Sequence, residues 1–207
     1  TNNQELLEQG DLVKKEKLTT EEQAQLTKLE KQLANARTDQ QKQDVQKQII
    51  ELAYLDNGGL VRTDANGKKT ILVNIDSKQA MYEVVGHETR HLLEADNDIN
   101  KTYNEKLFAY AESQGDLEAL RESIKDTYNT EDVDLINSEL SAKLTGKYLF
   151  ENPKFLESIV KDSDQSTAQK IVSKIKEVID DLIVHFKGTE QEKQLREIQK
   201  NFKEMYK

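Results

Sequence analysis

The stretch YEVVGHETRHLLEAD, residues 82–96, decides how the chain is read. It carries two of the three histidines, His87 and His91, with Glu88 beside the first. On an α-helix, residues four apart share a face, one turn above the other. As a helix, this stretch aims two imidazoles at one point. A zinc ion accepts neutral imidazole nitrogens there in a tetrahedral shell. Glu88 stands one step round the helix, off the ligand face but within reach of a water on that ion. A carboxylate so placed takes a proton from water whose pKa zinc has lowered toward about 7. This is the H-E-x-x-H arrangement of zinc hydrolases. The bland alternative is an amphipathic helix with two ordinary histidines on its rim. Tyr82, Val84, Val85, Leu92 and Leu93 make the flanks apolar, and Gly86 admits a close neighbour. Both features favour burial. Arg90 is discordant, a charge inside the motif that must reach solvent or pair with an acid.

A catalytic zinc needs a third protein ligand and one open position. The chain has no cysteine, so neither a thiolate ligand nor a disulfide is available. The metzincin spacing fails, because Glu94 and Asn97 stand where it requires glycine and histidine. His185 lies near the end of a long amphipathic run and reads as an interfacial side chain. A carboxylate from a separate helix is therefore expected. In NSELSAKLTG, residues 137–146, Glu139, Ala142 and Gly146 share a face, while Ile136, Leu140 and Leu144 line the adjoining one. The small residues let two helices approach, and an acid among buried side chains is costly unless paired or bound to a metal. Glu139 is thus the leading candidate. Glu94, Asp96, Asp98, Glu105, Glu131 and Asp134 compete from more polar surroundings. The assignments are His87, His91 and Glu139 for the metal and Glu88 for the base. Tyr103, Tyr110 and Tyr148 are candidate donors to a developing oxyanion.

Outward from this helix, DNGGLVRTDANGKKTILVNIDS at residues 56–77 combines two β-prone runs with turn chemistry. It predicts a β-hairpin over about 59–75, with Asp76 or Ser77 capping the motif helix. Residues 1–55 read as helices. Thr19 with Glu22, or Thr20 with Gln23, supplies a capping box. Leu26, Leu29 and Leu33, then Val45, Ile49, Leu52 and Leu55, give two narrow apolar stripes. These predict a helical hairpin, a solvated arm or connector. Beyond residue 96 the chain reads as successive helices. Pro153 opens one of them, Ile171 to Ile183 form the longest apolar face, Gly188 ends it, and a polar helix runs on to residue 207. The expected fold class is α+β, predominantly α, with an arm at 1–56 and a domain at 57–207.

Composition limits the functions. Of 207 residues, 35% are hydrophobic and 33% charged, which predicts a thin core and a large solvated surface. A formal net charge of −9 argues against binding to nucleic-acid phosphates. No apolar run approaches the ~20 residues that span a bilayer. The chain opens with Thr1, not Met, which reads as a piece of a longer protein.

The run VVGHETRHLLE, the helix SELSAKLTGKYLFENPKFLESI and the closing EKQLREIQKNFKEMYK together resemble gluzincin-like metallopeptidase domains. Such domains occur in bacterial polymorphic toxins, secreted exoproteins and phage head-associated proteins. The resemblance covers about residues 57–207. It implies a zincin-like helical domain with a small sheet beside the motif helix. It also implies zinc on His87, His91 and Glu139 with Glu88 as general base, and a protein or peptide substrate. A cognate immunity or inhibitor protein and a secreted or delivered parent protein belong to the same expectation. Related sequences often carry an acid just after the alanine of the third-ligand helix, where this chain has Lys143. From a different class, the chain reads as a non-catalytic helical interaction module bearing a zincin relic.

Overall fold

The structure is a computed structural model that describes residues 1–162 and 165–205. Among these residues are ten helices and one two-stranded antiparallel sheet. The order is α1 (Asn3–Gln9), α2 (Thr20–Asn35), α3 (Asp39–Ala53), β1 (Gly59–Thr63), β2 (Lys69–Val73), α4 (Met81–Leu93) and α5 (Asn97–Gln114), followed by α6 (Leu117–Tyr128), α7 (Val133–Tyr148), α8 (Pro153–Asp162), α9 (Gln165–His185) and α10 (Glu190–Met205). No helix among the described residues is long and apolar enough to cross a membrane. The chain divides into two compact units. One is Thr1–Gly58 with Leu72–Gln79, and the other is Gly59–Ile71 with the chain from Ala80 onward.

In the first unit α2 and α3 pack as a helical hairpin. Thr19 Oγ1 accepts from Glu22 N at 3.1 Å while the Glu22 carboxylate accepts from Thr19 N at 2.8 Å, the expected capping box. Thr38 and Gln41 repeat it at α3. Leu26 and Leu29 are buried on α2, as are Ile50 and Ala53 on α3. Leu72–Gln79 is stitched to the start of the chain. The Asn74 amide donates to Asn57 O at 2.7 Å and to Asn3 Oδ1 at 2.8 Å, and Asp76 Oδ2 accepts from Asn3 N at 3.0 Å. This corrects the expected cap of α4. Asp76 serves α1, Ser77 Oγ accepts from Gln79 N, and α4 begins after Ala80 with no side-chain cap.

The second unit is built round the α4–α7 pair. β1 lies on α4, and α9 and α10 also pack against that helix. The hairpin turn is held by Asp64 Oδ1, which accepts from Asn66 N and Lys68 N, with Gly67 at φ +80°. Helices α5 and α6 flank α7. The predicted α9 face is buried from Ile171 through Ile175, Val178, Ile179 and Leu182 to Ile183. Leu107, Leu140, Leu144, Leu149, Phe155 and Leu195 are fully buried with it. The closing helix ends at Met205, and the last two residues of that predicted run lie outside the described ones.

Gly86 of α4 meets Gly146 of α7. A methyl group on Gly86 would stand 2.8 Å from Gly146 Cα, and one on Gly146 would stand 2.6 Å from Glu83 O. Two helix backbones touch here with no side chain between them. The helices run antiparallel, since Glu83 faces Gly146 at one end while Glu94 bonds Ser138 at the other. That contact brings the face bearing His87 and His91 against the face bearing Glu139.

Candidate metal centre

Helix α4 presents His87 and His91 as the four-residue spacing requires, with ring centroids 4.9 Å apart. Their Nε2 atoms face each other at 3.2 Å. Glu139 of α7 closes the third side. Its Oε2 lies 3.7 Å from His87 Nε2, and its Oε1 lies 3.8 Å from His91 Nε2. Two ligand atoms each about 2.0–2.1 Å from a tetrahedral ion stand roughly 3.3–3.4 Å apart. The nitrogen pair matches that separation, and the carboxylate is a few tenths of an ångström wide of it. One ligand atom from each of the three residues falls within a 4.8 Å cluster. The set is two imidazole nitrogens and one carboxylate oxygen, a group of donors that could hold a metal ion. The side chains are 24%, 21% and 14% exposed, so the site is sheltered but open to solvent.

Glu88 sits immediately beside these ligands and is only 4% exposed. Its carboxyl makes no hydrogen bond among the described residues, so its oxygens are free to engage a water. Burial pushes its pKa up to about 7, with His91 opposing and Glu139 reinforcing the rise. For His87, burial with the nearby His91 and Lys143 lowers the pKa to about 3, against Glu94. That direction favours the neutral ring, the form that binds a metal ion. For His91, burial acts downward but is outweighed by the Glu94 hydrogen bond and by Glu88 and Glu139, and the net direction is up.

Two side chains support the ligands from behind, and neither role was read from the sequence. Glu94 accepts from His91 Nδ1 at 3.3 Å and from Ser138 Oγ at 2.7 Å. The sequence presents it only as a rival ligand. Its place three residues past His91, on the same helix face, was the available signal. Tyr128, the last residue of α6, donates its hydroxyl to Glu139 Oε2 at 3.0 Å. Burial first, then the Glu139 carboxylate, raises its pKa and keeps it a donor. No local pattern marks it, because the fold alone returns the end of α6 to the site.

The three tyrosines considered as oxyanion donors are engaged elsewhere. Tyr103 is buried with its hydroxyl donating to Thr145 Oγ1 at 3.1 Å. Tyr148 donates to Asp116, and Tyr110 packs edge-on against Tyr148 at 5.2 Å. Tyr128 is the tyrosine that reaches the site. His185 is exposed and bonds Asp181 O in its own helix at 2.9 Å. Of the rival acids, Asp96 caps α5 and Glu131 faces Lys125 at 3.8 Å. Lys143 stands one turn along α7 from Glu139. It is half-buried, close enough to His87 to depress that ring's proton affinity.

Arg90 meets neither sequence expectation. It is fully buried and pairs with no acid among the described residues. Its Nε donates to Ser141 Oγ, and one terminal nitrogen donates to Asn100 Oδ1 and to Asn104 Oδ1. The Tyr103 ring lies 5.3 Å from the guanidinium carbon, and the other terminal nitrogen, NH1, has no partner. Burial lowers the pKa of the group. Amide and hydroxyl oxygens with an aromatic face thus replace the carboxylate, and the network joins α4, α5 and α7. Arg90→Met is expected to destabilise the protein by about 1–3 kcal/mol, because buried Ser141 Oγ loses its donor, whereas Asn104 Oδ1 still accepts from Ser141 and Asn100 Oδ1 from Asn104. A denaturant midpoint within error of wild type would show that the network contributes nothing.

Comparison of the chain with family models, with curated proteins and with solved structures returned no match.

Proposed function

We propose that the second unit is a zinc-dependent metallopeptidase of zincin type, acting on a protein or peptide. One observation carries this: His87, His91 and Glu139 converge from two helices locked by Gly86 and Gly146, with the unbonded, buried carboxyl of Glu88 beside them. Zinc held there lowers the pKa of water toward about 7 and polarises a carbonyl oxygen. Glu88 takes the proton from the attacking water and delivers it to the leaving amine. Tyr128 keeps Glu139 in place by donating its hydroxyl to Oε2.

The test starts with metal content. Chelator-treated protein reloaded with zinc is expected to hold one ion per chain by elemental analysis. His87→Ala is expected to weaken binding by at least 100-fold, since one of three ligands is gone. Wild type should cleave an unfolded protein substrate, stop on chelation and resume with zinc. Lys143 favours a second reading, because a half-buried cation beside His87 works against a metal ion there. On that reading the unit is a non-catalytic helical module. A reloaded protein that holds no metal would establish it and end the peptidase proposal.

A further inference from the structure

We propose that Glu94, anchored by Ser138, is the positioning carboxylate of the metal centre, a role that rests on the metallopeptidase reading. Glu94 lies three residues beyond His91 on α4. An exposed helix pair at that spacing contributes little. Here the carboxylate is fixed at both oxygens. Oε2 accepts from His91 Nδ1 at 3.3 Å, and Oε1 accepts from Ser138 Oγ at 2.7 Å. Ser138 is on α7, immediately before Glu139. One carboxylate therefore ties the helix that carries both histidines to the segment that carries the third ligand.

The consequence is chemical as well as mechanical. An imidazole that donates from Nδ1 carries its lone pair on Nε2, the nitrogen that faces His87 and Glu139 across the site. Glu94 thus selects the tautomer able to bind a cation, holds the ring plane and raises its basicity. His87 lacks this support, since its Nδ1 makes no hydrogen bond among the described residues. His91 is the fixed ligand and His87 the adaptable one. The supporting carboxylate comes from the motif helix itself, three residues past His91.

The experiment measures zinc and cobalt affinity by competition with a chromophoric chelator, alongside the thermal midpoint of the metal-free protein. Glu94→Ala is expected to weaken binding 10–100-fold, the usual range for a partner behind a metal-bound histidine. Glu94→Gln is expected to fall between alanine and wild type, because its amide oxygen still accepts from Nδ1 without the charge. Ser138→Ala suits a helix, keeps both ligand helices and should weaken binding several-fold. It decides the matter should Glu94→Ala fail to fold. A purely structural carboxylate would lower the metal-free midpoint and leave affinity alone. Wild type binding one ion with Glu94→Ala within threefold of it, or Gln no better than Ala, overturns the positioning role while the metal site stands. A wild type that takes up neither metal removes the site and this role together.

Discussion

Glu88→Gln is expected to bind zinc as tightly as wild type, within about threefold, and to lose hydrolysis by a factor on the order of 10²–10⁴, the usual contribution of a positioned general base. Affinity is preserved because Glu88 is not among the three converging ligands. The fold is preserved because an amide has nearly the shape of the carboxyl it replaces, and no hydrogen bond to Glu88 is broken among the described residues. What the amide lacks is the ability to accept a proton from water. Burial pushes the Glu88 pKa up to about 7, and a dication bound beside it would draw it back down toward the carboxylate form that the proposed hydrolysis needs. Metal content and turnover must be read together. His87→Ala loses both, whereas Glu88→Gln separates them. A variant that turns over at the wild-type rate would remove Glu88 from the proton path.

The clustering of His87, His91 and Glu139 was largely legible because helical spacing is a strict geometric statement. The four-residue spacing of His87 and His91 fixes their common face whatever surrounds them. Glu139 was legible for a different reason, as an acid among Ile136, Leu140 and Leu144 with Ala142 and Gly146 on its own face. Two other tertiary arrangements, around Tyr128 and Arg90, were not legible. Tyr128 reaches Glu139 because Asn129, at φ 43°, ends α6 and the chain turns back into α7. Nothing within α6 announces that. Arg90 departs from the expectation that a guanidinium reaches solvent or pairs with an acid. Two asparagines, a serine and an aromatic face, drawn from α5 and α7, met most of its needs instead.

Fold prediction followed the same division. Capping at Thr19, the apolar face of α9 and the hairpin around Asp64–Gly67 are local, and each depends on residues within one turn or one strand pair. The cap of α4 is not local. Asp76 and Ser77 have the right chemistry in the right place, but Asp76 accepts instead from the start of α1, 73 residues away in sequence. A strong local signal was overridden by a long-range partner.

Gly146→Ala is expected to destabilise the protein by about 3 kcal/mol and to weaken metal binding at the same time. In an ordinary helix interior the same change stabilises by roughly 0.5–1 kcal/mol, because alanine restricts the unfolded chain and favours the helix. The sign should reverse here. The new methyl would lie 2.6 Å from Glu83 O, a backbone atom inside another helix that has no rotamer by which to retreat. Overpacking at sites that can adjust typically costs about 1–3 kcal/mol, so a rigid contact belongs at the top of that range. For a chain of this length the expected fall in thermal midpoint is roughly 6–12 °C. The only relief is separation of α4 from α7, and those helices carry opposite sides of the metal site. Glu139 would then recede from His87 and His91, from which it already stands at 3.7 and 3.8 Å. Gly86→Ala tests the same contact from the other helix, with its methyl 2.8 Å from Gly146 Cα, and should lower stability and affinity together. A neutral or stabilising Gly146→Ala would mean that the backbones do not touch. The convergence of the three ligands would then need another cause.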